Sequence, residues 1–185
     1  MTQGAKANES GQNGEKKVQD IFDKYDLPVY KNKDIQNNPN LLDNVDRYVI
    51  AQEPYMSIYN MEQYKIDKEN NPNTKIKKYK RSKMDFKYYD KKSEKYKNGM
   101  FVEVKNQNKA GSVDEKIPYI TENFNENAYG TNNGYIVLQG NGFKAGVKKW
   151  AQEKCEEINN NNPDSDLRAG DCDDFDNFMK EIICN

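Results

Sequence analysis

The strongest constraint on this chain is a pair of alternating segments joined by a polar turn. They are Lys83-Met84-Asp85-Phe86-Lys87-Tyr88-Tyr89 and Met100-Phe101-Val102-Glu103-Val104-Lys105-Asn106-Gln107. Successive side chains of a strand point to opposite faces. Met84, Phe86, Tyr88, Val102 and Val104 then share an apolar face, and Lys83, Asp85, Lys87, Glu103, Lys105 and Gln107 share a polar one. A hairpin symmetric about Glu94 sets Asp85 opposite Glu103. Two carboxylates directly opposite each other repel, and a cation between them removes the repulsion. The hairpin therefore points to metal-dependent chemistry.

The rest of the composition narrows that chemistry. The chain of 185 residues suits one domain with one core. It has no histidine, and Cys155, Cys172 and Cys184 lack CxxC spacing, so a zinc centre, a Cys-His nucleophile and a Ser-His-Asp triad are all disfavoured. Carboxylates, lysines, metal and water are what remain for hydrolysis. Charge is unevenly spread: Lys75 to Lys109 holds thirteen Lys/Arg against four Asp/Glu, while Glu153 to Asn185 holds ten acidic and three basic residues. A basic block around a carboxylate hairpin suits a polyanionic substrate. The alternative for Lys91, Lys92, Lys95 and Lys97 is a solvated turn. No apolar run approaches the ~20 residues of a membrane span, and the N-terminus lacks an apolar signal region. The expectation is a soluble, cytoplasmic protein.

Hydrophobic periodicity predicts helices over 14–25, 143–159 and 173–184, with residues 1–13 frayed. The 143–159 helix would turn Val147, Trp150, Ala151 and Ile158 to one side. Short strands are expected at 27–30 and over 47–59, the latter broken near Glu53-Pro54, and a buried strand at 134–140. Residues 31–44 and 67–74, rich in Asn, read as loops. Ser112 and Glu115 have capping-box spacing ahead of a helical stretch whose stripe is Ile117, Ile120, Phe124 and Ala128, with Pro118 in its first turn. Residues 160–185 read as a helical cap. These elements argue for an α/β (α+β) fold with a central mixed sheet flanked by helices.

Asp85, Glu103 and Lys105 form the pattern D…ExK, in which Glu and Lys two residues apart share one face of a strand. Asp85, Glu103 and the Val104 carbonyl are a hard oxygen set suited to Mg²⁺, with Mn²⁺ a plausible substitute. Lys105 would orient the attacking water, and the metal would offset charge on the phosphoryl oxygens. Tyr55, Tyr59 and Tyr64, with Lys65, have the composition of a nucleic-acid contact; packing explains each tyrosine equally well.

On these residues the hairpin resembles the PD-(D/E)XK nuclease superfamily, with Met84 in the proline position. The similarity extends to Ala7-Asn8-Glu9-Ser10-Gly11-Gln12-Asn13-Gly14-Glu15, to Pro54-Tyr55-Met56-Ser57-Ile58-Tyr59, and to Gln139-Gly140-Asn141-Gly142. Its most specific part is Glu103-Val104-Lys105-Asn106-Gln107 followed by Ala110-Gly111-Ser112-Val113-Asp114-Glu115-Lys116-Ile117-Pro118-Tyr119, similar to small bacterial and phage members. The resemblance implies a restriction-endonuclease-like core and Mg²⁺-dependent hydrolysis of double-stranded DNA by a homodimer. It implies that Glu15 approaches the metal site and that Gln107 extends the active-site row. It also implies that Asn106, Lys109, Gly111, Ser112 and Lys116 lie near the scissile phosphate, and that the 31–81 insertion can take part in recognition. A structure-specific nuclease, such as a junction resolvase or repair enzyme, or an inactive DNA-binding module would share these features.

Overall fold

The alternating hairpin becomes the middle of a six-stranded sheet, because both of its faces find apolar cover. The structure, a computed structural model, describes residues 3–184, with side chains from residue 11 onward except that of Lys77. The elements in chain order are α1 (Gln3–Lys24), β1 (Val29–Lys31), α2 (Asn32–Asn37), β2 (Arg47–Ala51), β3 (Pro54–Tyr55), α3 (Ile58–Asn70), β4 (Ser82–Lys83), β5 (Phe86–Asp90), β6 (Met100–Asn106), α4 (Ile117–Asn125), β7 (Asn133–Gln139), α5 (Val147–Asn161), β8 (Asp166–Gly170) and α6 (Cys172–Cys184). The sheet order is β1-β2-β5-β6-β7-β8, and β3 and β4 form a separate two-stranded ribbon. The sheet is mixed: β2, β5 and β6 run antiparallel in succession, while β6, β7 and β8 are parallel. Parallel neighbours need crossover connections, and α4 and α5 supply them. Among the described residues no helix is long and apolar enough to cross a membrane.

One face of the sheet packs on α1 and α6. Val18, Ile21 and Phe22 of α1 meet Phe175, Phe178 and Met179 of α6 over Phe86, Tyr88, Val102, Val104, Tyr135 and Val137. The other face packs on α4 and α5, where Ile117, Ile120, Phe124, Ala151, Cys155 and Ile158 cover Phe101, Ile136 and Leu138. Strands buried on both sides lose alternation and become continuously apolar, as Tyr135-Ile136-Val137-Leu138 is.

Gly134 sets the closest approach on the second face. A Cβ there would lie 2.0 Å from Phe101 Cε1, and Phe101 is itself stacked on Tyr129 with centroids 4.1 Å apart. Gly134→Ala is expected to cost about 1–3 kcal/mol through overpacking and to lower Tm by roughly 3–10 °C. Thermal unfolding followed by circular dichroism checks this.

Several local expectations change. Helix α1 begins at Gln3 rather than Gly14, so of the frayed segment only Met1 and Thr2 lie outside the described residues. Residues 32–37 are helical and 39–42 form a 3₁₀ turn, where a loop was expected. The run Tyr55-Met56-Ser57-Ile58-Tyr59 is not a strand: Ser57 precedes helix α3, which continues to Asn70. Met84 does not join Phe86 and Tyr88; it packs on the second face, because the chain breaks between β4 and β5. Lys87 is only 6 % exposed, since its side of the sheet is covered too. Trp150 is 40 % exposed rather than packed. The C-terminal segment contains the edge strand β8 as well as α6.

Candidate active site

The register carried by β5 and β6 brings the two carboxylates together. Phe86 pairs with Val102 and Tyr88 with Met100, and one further step along the same register sets Asp85 opposite Glu103. Asp85 sits where the chain passes from ribbon to sheet. Its carbonyl accepts from Gln52 N–H (3.1 Å), and Met84 N–H donates to the Glu53 carbonyl (3.1 Å). The Asp85 side chain turns toward β6, where Oδ2 accepts from Val104 N–H at 2.8 Å.

Lys105 lies between the two acids. Its Nζ is 2.6 Å from Glu103 Oε1 and 3.9 Å from Asp85 Oδ2, and it donates to the Val104 carbonyl at 3.2 Å. Burial pulls this ammonium down, but Glu103 and Asp85 outweigh it and hold Lys105 above the ordinary lysine range. The Asp85 carboxyl is pushed up to about 7, first by burial and then by the charge of Glu103. Glu103 is 8 % exposed, and its Oε2 is buried without a hydrogen-bond partner. A buried, unpartnered carboxylate oxygen is costly, and it is an acceptor available to a cation.

Among the described residues no group of three or more His, Cys, Asp or Glu side chains is disposed to hold a metal. The oxygens gathered here are those of the Asp85 and Glu103 carboxylates and the Val104 carbonyl. They fit Mg²⁺, which takes few protein ligands and keeps several waters.

Glu15 reaches the same place from α1. A Cβ on Gly14 would lie 2.8 Å from Asn106 Cβ and 3.1 Å from Val104 Cγ1, so glycine lets the helix lie directly on the end of β6. The Glu15 carboxyl is raised by burial, lowered by Lys105 and raised by Glu103, which places it within the field of both. Asn106 forms the floor under this helix. Tyr55 and Tyr129 border the site on the other side, their rings 4.7 Å apart. Burial raises both hydroxyls, and the Glu103 charge raises both further. Tyr129 carried no signal in the sequence, because nothing in Ala128-Tyr129-Gly130 has a recognisable spacing.

Gln107 follows Lys105 just past the end of β6, and its side-chain amide is held by the loops beyond. It is 4 % exposed, and its Nε2 donates to Asp114 Oδ1 (3.0 Å) and to the Gly142 carbonyl (2.8 Å). Its Oε1 accepts from Val113 N–H at 3.0 Å. Asp114 Oδ2 also accepts from Lys144 N–H at 3.2 Å. Gln107 and Asp114 thus tie the loop after β6 to the loop after β7. Ser112 and Glu115 form no capping box: the 3₁₀ turn runs Asp114–Lys116 and has no side-chain cap. Lys109, Gly111, Ser112 and Lys116 are exposed on this braced loop. Gln107→Ala removes the bonds to buried Asp114 and to half-buried Val113 and Gly142, at a cost of about 1–3 kcal/mol. Faster hydrogen exchange at Val113 and Lys144 is the expected readout.

The lysines of the hairpin turn belong elsewhere. Lys92 pairs with Asp46, Lys95 with Asp166 and Lys97 with Glu94, and Lys91 bonds the Leu42 carbonyl. They sit a full strand length, ~15 Å or more, from Asp85.

The model of the PD-(D/E)XK nuclease superfamily domain matches residues 6–181. The chain belongs to the PD-(D/E)XK nuclease superfamily. That span takes in most of α1, every element from β1 to β8 and most of α6, and the mixed six-stranded sheet with helices on both faces agrees with it. No curated protein and no solved structure matches the chain. Met84, which the resemblance sets in the motif's proline position, is packed in the core at 1 % exposure.

Proposed function

We propose that this chain is a Mg²⁺-dependent endonuclease that hydrolyses phosphodiester bonds in double-stranded DNA. The observation that carries the reading is the Lys105 ammonium held between Glu103 and Asp85 beside an unpartnered Glu103 Oε2. Asp85, Glu103 and the Val104 carbonyl would hold the metal, with Mn²⁺ able to replace Mg²⁺. When bound, the cation supplies positive charge for the phosphoryl oxygens and acidifies the attacking water. The remaining work falls to this chain's own groups. Lys105, a donor on three sides, orients the water for in-line attack and stabilises the charge that develops. Glu15, partly buried beside Lys105, accepts a hydrogen bond from the same water. Gln107 acts one step back, by fixing the loop that carries Lys109, Gly111, Ser112 and Lys116 near the phosphate, with Asn106 at its base. Tyr55 and Tyr59 flank the path of the DNA.

The biological type we favour is a site-specific enzyme of restriction or phage kind. One hydrolytic site cuts one strand, so double-strand cleavage calls for two chains, and a homodimer is the simplest symmetric arrangement. Digestion of a mixed DNA library in Mg²⁺, with the ends sequenced, tests this. Ends that share a recurring sequence and carry 5′-phosphates support it. Cuts confined to branched DNA would make the enzyme structure-specific instead, and intact DNA of every form would refute the nuclease reading.

A further inference from the structure

The segment between β2 and β5 stands off the core as an arm. Its stalk is the β3–β4 ribbon, in which Pro54 pairs with Lys83 and Tyr55 with Ser82. Its tip is α3 and the return segment 71–81. No residue of α3 is buried. The polar bonds that fix its shape are internal to the arm: Asn60 Nδ2 donates to the Lys80 carbonyl (2.8 Å), Thr74 Oγ1 to the Asp67 carbonyl (3.1 Å), and the Tyr79 hydroxyl to Asp67. Tyr64 and Tyr79 pack edge to face. Tyr59 (70 %), Ile66 (51 %) and Ile76 (41 %) are left in solvent. An ordered helix of 13 residues, ~20 Å long, that covers none of the core does little for folding, so its use lies outside the chain.

Charge identifies the partner. Residues 54–83 carry eight Lys/Arg and three Asp/Glu. The excess sits on the return segment, where Lys75, Lys78, Lys80 and Arg81 are exposed. Asp67, an acidic neighbour of this group, is 3.8 Å from Lys78, whose side chain remains 72 % exposed. This run leads through β4 directly to Asp85, so a polyanion following it ends at the two carboxylates. The hairpin-turn lysines, by contrast, are engaged with Asp46, Asp166 and Glu94 at the far end of the sheet.

We propose that the return segment Lys75–Arg81 is a clamp for the phosphate backbone of duplex DNA, delivering it to Asp85 and Glu103. The clamp rests on the nuclease reading above and gives it a substrate path. Each phosphate neutralised releases counterions, and the logarithm of affinity falls with the logarithm of salt at a slope of about 0.9 per contact. The test is binding of a fluorescently labelled duplex by the full chain, with Ca²⁺ in place of Mg²⁺, across a salt series. The variant Lys75→Gln/Lys78→Gln/Lys80→Gln/Arg81→Gln changes exposed side chains only. It is expected to weaken binding on the order of 100-fold at low salt and to flatten the slope by about 2–4. Lys92→Gln/Lys97→Gln, at the far end of the hairpin, is expected to change neither. An arm variant with the parental affinity and slope overturns the clamp. So does an equal loss per charge in the far-end variant, which would mean that only net charge matters. If the parent chain binds no duplex and cuts none, the nuclease reading itself fails, and this outcome is distinct from both.

Discussion

Lys105→Ala is expected to lower the cleavage rate at saturating DNA by roughly 10³-fold while leaving metal binding in place. The ammonium is the group that spans Glu103 and Asp85, and its loss removes both the donor for the attacking water and the charge that develops against it, an effect of about 10²–10⁴ for groups of this kind. The proposed ligands, Asp85 and Glu103, stay. Mg²⁺ should therefore still raise Tm, and the Asp85 carboxyl, deprived of the Lys105 charge that lowers it, should hold its proton more tightly than in the parent. Single-turnover cleavage on plasmid DNA gives the rate, and thermal unfolding with and without Mg²⁺ gives the binding. A variant that cuts at the parental rate would remove Lys105 from the chemistry. Lys105→Arg is not a neutral swap at a site this enclosed, because the guanidinium fork differs in shape from a point charge.

The second large effect is linkage between protons, metal and stability. The Asp85 carboxyl is raised to about 7 by burial and by Glu103, above its ordinary value near 3.8. In the metal-free protein the folded state therefore holds more protons than the unfolded state between about pH 4 and pH 7. Stability rises with pH only where the unfolded state binds more protons, so here it falls as pH rises through that window. The slope is at most about 1.4 kcal/mol per pH unit for one group. On the proposed reading a divalent cation would replace the proton and remove the repulsion. The Tm increase produced by Mg²⁺ should accordingly be largest at pH 8 and shrink steadily below pH 7. Glu103→Gln takes away the second cause of the raised pKa and should flatten the pH dependence of the metal-free protein. An Mg²⁺ shift of equal size at pH 5 and pH 8 would contradict this linkage.

Much of the site was legible in the sequence because period-two alternation fixes register. Symmetry about Glu94 placed Asp85 opposite Glu103, and the β5–β6 ladder, whose last pair is Phe86 with Val102, has that register. The alternation misled at Met84, where the ladder with Glu53 and Gln52 turns the chain between β4 and β5. Periodicity put Gln107 on the polar face and the resemblance put it in the active-site row; β6 ends at Asn106, and the amide is drawn into the loop by Asp114 and Gly142. Helix α3 was missed for a physical reason: none of it is buried, so it carries no apolar stripe. Strand β8 was missed because an edge strand tolerates charge. Asp166 and Arg168 pair with each other there and mask a strand with few apolar residues. Tyr129 and the Gln107–Asp114 brace depend on long-range contacts that local spacing does not encode.

The central claim is that Asp85 and Glu103 form the metal site of a phosphodiesterase. The most direct measurement is cleavage of supercoiled plasmid in Mg²⁺ by the parent chain and by Glu103→Ala, with the folded state of each checked by thermal unfolding. The account predicts nicked and linear DNA from the parent and, from a folded Glu103→Ala, no cleavage together with loss of the Mg²⁺-dependent rise in Tm. Cleavage by folded Glu103→Ala at the parental rate would contradict it.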